Sequence, residues 1–149
     1  LDVLKSPRAW RLSIAGAGPA LTLALRARLS AHPNVEIISD AWLDEQSLDA
    51  LVMLSDVLLL PYHAATQSGL IAQAQAAGKP CVVTPVGALG EQIGEGEAGW
   101  IAAAATAPAF AAAMDQMLAD AGARARKAEA ALARAARAWS VPDWDWLAP

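Results

Sequence analysis

Residues 56–70, Asp56-Val57-Leu58-Leu59-Leu60-Pro61-Tyr62-His63-Ala64-Ala65-Thr66-Gln67-Ser68-Gly69-Leu70, decide the fold. Residues 57–61 are apolar without alternation, the pattern of a central parallel strand covered on both faces. A polar loop follows, and the spacing predicts a helix over 68–77. Gly78-Lys79-Pro80 stops that helix, and 81–84 (Cys-Val-Val-Thr) read as the next strand. Strand, helix and strand in so short a span form a βαβ unit, whose strands run parallel.

The same alternation continues in both directions. Upstream, 11–15 read as a strand that ends in Gly16-Ala17-Gly18-Pro19. Leu21, Leu25 and Leu29 repeat at helical spacing over 20–30, with Pro19 suited to the first turn. Residues 35–38 form a second strand, and Asp44-Glu45 open a helix over 46–54. Downstream, 91–93 are at most a short helix, and 100–102 read as an edge strand. Thr106 is an N-cap candidate for a helix over 108–119, and 121–139 form an Ala/Arg-rich helix. The chain is therefore expected to be an α/β domain over 1–139, with a parallel sheet of about five strands and helices on both faces, a three-layer sandwich. Residues 140–149 are a Trp-containing tail.

Composition narrows the function. The chain has 149 residues, 56% of them hydrophobic and 17% charged, which suits one globular domain rather than a disordered segment. The net charge is −4, and between Leu29 and Ala123 the only Lys or Arg is Lys79. A nucleic-acid partner is therefore not expected. The single Cys81, with His32 and His63, excludes an intramolecular disulfide and leaves too few ligands for a typical zinc site, so no metal is expected. Mean hydropathy is +0.31. Ala inflates it, and no apolar run reaches the roughly 18 residues that a spanning helix needs.

Ligands of open α/β sheets bind beyond the carboxyl ends of the strands. That rule selects three loops: 16–19, 62–70 and 86–91. Gly16 and Gly18 allow a ligand close to the backbone, and they equally suit a tight strand-to-helix turn. The second loop is more informative. Thr66, Gln67 and Ser68 stand at a helix start, and the amides of Ser68, Gly69 and Leu70 can cradle a diphosphate without a lysine. Capping alone also places Ser or Thr there. Gln73 lies one turn on, beside Gly69, where it reaches a sugar hydroxyl or simply faces water. His63 reads as a loop histidine without a role. The five cations between Arg124 and Arg137 read as a solvated face.

From Gly16 to Ala119 the chain resembles the C-terminal, donor-binding domain of GT-B glycosyltransferases of the group 1, family 4 retaining type. Leu60-Pro61, Ser68-Gly69-Leu70, Ala76-Ala77-Gly78-Lys79-Pro80, Pro85-Val86-Gly87 and Glu91-Gln92-Ile93 carry the resemblance in their order and spacing. It implies a Rossmann-like domain that binds a UDP- or GDP-sugar. The base would pack near Ala41-Trp42, and the diphosphate would sit on the helix start at Ser68-Gly69-Leu70. It implies no cofactor beyond this substrate, and a cytoplasmic enzyme, with the inner membrane face as an alternative location that no membrane-binding helix supports. Two glutamates of the family's motif are replaced, by Ala65 (beside Thr66) and by Gln73. The second glycine of its Gly-Gly loop is Ala88.

The Arg and Lys that neutralise the leaving diphosphate are absent from this stretch, so no catalytic residue is assigned. The family also implies a separate N-terminal acceptor-binding domain. The tail with Trp139, Trp144 and Trp146 would meet that domain, or would cap its own core. The resulting expectation is the donor-binding half of a transferase acting on a glycan or lipid-linked acceptor, inactive alone. A non-catalytic nucleotide-sugar binding module and a GT-B sugar-nucleotide epimerase are the alternatives. The epimerase would need acidic and His residues that are scarce here. A flavodoxin-like fold lacks its acidic pair at a strand end.

Overall fold

The computed structural model describes residues 9–16, 21–38 and 43–140, except for the Trp139 side chain. Gly18, Trp42 and the tail from 141 onward, with Trp144 and Trp146, lie outside the described residues. The chain divides into two compact units, Pro7–Leu51 and, among the described residues, everything from Val52 onward.

The N-terminal unit contains β1 (Leu12–Ile14), α1 (Leu23–Ser30), β2 (Val35–Ile37) and the start of α2 (Glu45–Leu54). β1 and β2 pair in parallel, Leu12 opposite Val35 and Ile14 opposite Ile37. Both strands alternate, with Ser13 and Glu36 exposed between half-buried neighbours. α1 begins later than its leucine spacing suggests, because Thr22 caps it: its Oγ1 accepts from the Leu25 amide at 3.2 Å. Trp10 stacks on His32 at 5.0 Å, and His32 Nδ1 accepts from the Asn34 amide to close the turn before β2.

The C-terminal unit carries β3 (Leu58–Leu60), α3 (Gly69–Ala76), β4 (Cys81–Val83), α4 (Leu89–Gln92), β5 (Gly99–Ile101), α5 (Ala107–Ala119) and α6 (Ala121–Trp139). Its sheet is parallel in the order β3-β4-β5. The five expected strands are thus present, hydrogen-bonded as a pair and a triplet. The most buried strand is β4, all three of whose residues are buried, and not β3. A run of apolar residues marks a strand as interior but does not reveal its place in the sheet order.

Side chains alternate across this sheet. Cys81 and Val83 face a cluster with Ile71 and Ala74 of α3 and Leu89 of α4, joined by Ile93. Val82 and Trp100 face Phe110, Ala113 and Met117 of α5. Helices therefore cover both faces. Burial pushes the Cys81 thiol up to about 12, so it packs as a small hydrophobe. β5 opens on glycine for a steric reason: a Cβ at Gly99 would lie 2.1 Å from the Cys81 carbonyl oxygen.

α6 packs on α3, where its Leu132 fills the space over Gly78 (φ +67°). Asp120 caps α6 by accepting from the Ala123 amide at 2.9 Å. The basic residues of α6 are not simply a solvated face. Arg124 donates to the carbonyls of Met117 and Leu118 at the end of α5. Lys127 donates to the Gly96 carbonyl and lies over the Trp100 ring. Arg134 donates to the carbonyls of Glu91 and Gln92 and pairs with Glu97 at 3.2 Å. Arg124 and Arg134 thus reach carbonyls at the ends of α5 and α4, where a cation suits the helix dipole.

Candidate functional site

The loops leaving β3 and β4 are sewn together at the carboxyl end of the sheet. Thr84 Oγ1 donates to the Tyr62 carbonyl at 2.6 Å, and the Ala88 amide donates to the Thr66 carbonyl at 2.8 Å. Gly87 makes this approach possible. Its φ is +52°, and a Cβ there would sit 1.9 Å from the Ala65 carbonyl oxygen.

The start of α3 is held from α4. Ser68 occupies the N-cap position in extended backbone (φ −137°, ψ 122°), yet its hydroxyl makes no capping bond. Instead Gln92 brackets the Ser68 peptide. Its Oε1 accepts from the Ser68 amide at 2.9 Å, and its Nε2 donates to the Ser68 carbonyl at 3.1 Å. The Gln92 carbonyl in turn accepts from Gln75 Nε2 at 2.7 Å and from Arg134. Buried amide hydrogen bonds of this kind contribute about 1 kcal/mol each and cost more when broken singly.

The structure brings Thr66, Gln67, Ser68, Gly69, Leu70 and Gln73 together at this end of α3. Thr66, Gln67 and Gly69 are exposed; Leu70 and Gln73 are half-buried, and Leu70 leans on the core. The expected trio of outward amides is reduced by one, because the Ser68 amide is taken by Gln92. The amides of Gly69 and Leu70 have no acceptor among the described residues, and nothing lies within 4 Å of a Cβ built on Gly69. Such first-turn amides point out along the helix axis and attract an anion. Gly16 belongs to the N-terminal unit. It is exposed with φ +81° and open space around it.

Sequence reading missed Gln92 because it lies 24 residues from Ser68 on a helix of four residues. It also missed a hollow of about 210 Å³ lined by Pro61, His63, Thr84, Thr106, Phe110 and Met114, among others. Small-molecule sites usually enclose roughly 300 Å³ or more, so this end of the sheet is an open shelf. Among the described residues no group of His, Cys, Asp or Glu is arranged to hold a metal ion. No described helix is long and apolar enough to cross a membrane.

The family model described as Glycosyl transferases group 1 matches residues 2–120. The chain belongs to this family. It is 38% identical over 105 residues to glycogen synthase of Mycobacterium tuberculosis, in strains CDC 1551 / Oshkosh and H37Rv alike, covering 70% of this chain and 24% of the relative. This group 1 glycosyltransferase chain thus spans about a quarter of the length of the curated relatives it matches.

Solved structures agree on the fold. WaaG, a glycosyltransferase involved in lipopolysaccharide biosynthesis, superposes with a TM-score of 0.69 at 21% identity, covering 85% of this chain and 34% of that one. Sucrose-phosphate synthase from Thermosynechococcus elongatus gives 0.71 at 19%, with the same coverage. A glycosyltransferase from Rickettsia africae ESF-5 gives 0.72 at 19%, covering 87% and 36%. The Rossmann-like GT-B architecture of this group 1 glycosyltransferase is therefore shared with these neighbours.

Proposed function

We propose that this chain is the donor-binding part of a retaining glycosyltransferase that moves a hexosyl group from a UDP- or GDP-sugar to a glycan or lipid-linked acceptor. The observation that carries this reading is the shelf at the start of α3. There the Gly69 and Leu70 amides lack acceptors, and the Ser68 hydroxyl is not spent on capping. The diphosphate would rest on these groups, with Thr66 and Gln67 beside it. Gln73, one turn along α3, would hydrogen-bond a hydroxyl of the donor as a neutral group.

An open shelf with few cations neither excludes water nor neutralises a leaving diphosphate. Transfer would therefore need a second domain to close over the donor, and this chain alone would be inactive. The greater length of the relatives supports such a partner. No metal or other cofactor is invoked.

Calorimetric titration with UDP, GDP and their sugars tests the reading. Millimolar or tighter binding is expected, and Ser68→Glu should abolish it by placing negative charge in the phosphate cradle. Absence of binding to every nucleotide would sink the donor-site assignment. Binding that survives Ser68→Glu unchanged would move the site elsewhere.

A further inference from the structure

The Gln92 bracket has a local logic. In a capping box, a Glu or Gln at the third helical position reaches back to the N-cap amide. The third residue of α3 is Ile71, which is 1% exposed and belongs to the core, so it cannot do this. Gln92 makes the same bond from a different helix and adds a second one to the Ser68 carbonyl. With its N–H and its C=O both held, Ser68 keeps its extended backbone without using its own hydroxyl. Gln92 is itself fixed by Gln75 of α3 and Arg134 of α6. Gly87 and Ala88, a few residues before Gln92, hold the other end of the loop at Ala65 and Thr66.

We infer that Gln92 is a positioning residue for the donor phosphates. By bracketing the backbone of Ser68, itself a buried residue, from α4, it sets the direction of the first α3 amides and leaves the Ser68 hydroxyl unspent on capping. This rests on the donor-site reading given above. Gln92 does not touch the ligand in this role. It acts through Ser68, so its removal should be felt by the phosphates and not by the base.

The test compares the unsubstituted chain with Gln92→Met, which keeps the side-chain length and removes both hydrogen bonds. Affinity for UDP or GDP should fall about tenfold, the loss expected when a pair of modest hydrogen bonds no longer orders the cradle. Affinity for uridine or guanosine, which lack phosphates, should not change. Amide hydrogen exchange should show the Ser68 amide losing protection while the β4 amides keep theirs.

Equal diphosphate affinity in Gln92→Met would overturn the positioning role and leave the donor site standing. Parallel losses for nucleoside and diphosphate would also overturn it, since they indicate general loosening. If the unsubstituted chain binds no nucleotide, the donor-site reading fails first and this inference falls with it. Should Gln92→Met not fold, Gln92→Asn, polar but too short to span both Ser68 groups, gives the same comparison.

Discussion

The two units of this chain write the same strand-helix-strand pattern and bury it to different degrees. No described residue between 9 and 51 is buried. From Val52 onward, β4 is buried throughout, and Ile71, Leu89 and Ile93 are within 1% of complete burial. The difference lies in the number of layers and neighbours. β1 and β2 pair only with each other in the N-terminal unit, and none of the residues of α1 is buried. A two-stranded sheet has few interior positions and is marginal by itself. β4 has a strand on each side and helices on each face. Alternation in sequence specifies which elements form; burial follows from how many others surround them.

The largest effect expected from this contrast is at Ile71. Ile71→Ala removes a fully buried side chain from between α3 and β4 and should destabilise the C-terminal unit by about 3 kcal/mol in urea unfolding. A loss well under 1 kcal/mol would show that the core described here is not close-packed.

Helix caps offer a comparison of intermediate size. Asp44 opens α2 by accepting from the Ser47 amide, and Asp120 opens α6 by accepting from Ala123. Those amide hydrogen bonds hold both carboxyls below their ordinary value of 3.8. A lowered folded-state value means that the stabilisation is complete above the unfolded value and fades as pH falls through the folded one. Asp120→Asn keeps an acceptor that does not titrate. It should therefore flatten the loss of α6 protection as pH falls below the ordinary carboxyl value of 3.8. Asp44→Asn should do the same for α2. Amide exchange across that range would read both, and an unchanged acid limb would remove the caps from the account.

The smallest effect belongs to α1. Leu23 is 86% exposed, so Leu23→Ala should change unfolding by no more than about 0.5 kcal/mol. A larger loss in the same urea experiment would mean that α1 is covered in solution and would narrow the contrast between the units.

Much of this was legible in the sequence. Residues 121–139 were expected as a helix and form α6 over the same span, because Ala-rich propensity and the Asp120 cap act locally. The strand-loop-helix at 57–77 was equally legible, since an apolar run, a polar loop and a Gly-Lys-Pro stop are local signals. Thr22 moved the start of α1 because its hydroxyl competes for the same amides. Of the candidate site, the residues at the start of α3 were readable, since loops at strand ends are where ligands bind. Gln92, Gly87 and the hollow near Phe110 were not. Each depends on which loop lies beside which.

By itself, then, the sequence determined the element order, the parallel α/β class and the helix start that offers its amides. These follow from propensity, periodicity and capping, which act over a few residues. Only the tertiary structure decided that β4 lies at the centre of its sheet, that Gly99 must lack a Cβ against Cys81, and that Gln92 takes the Ser68 amide. Those outcomes depend on the docking of segments distant in the chain. Steric exclusion and hydrogen-bond satisfaction act between neighbours in space, and spacing along the chain does not record them.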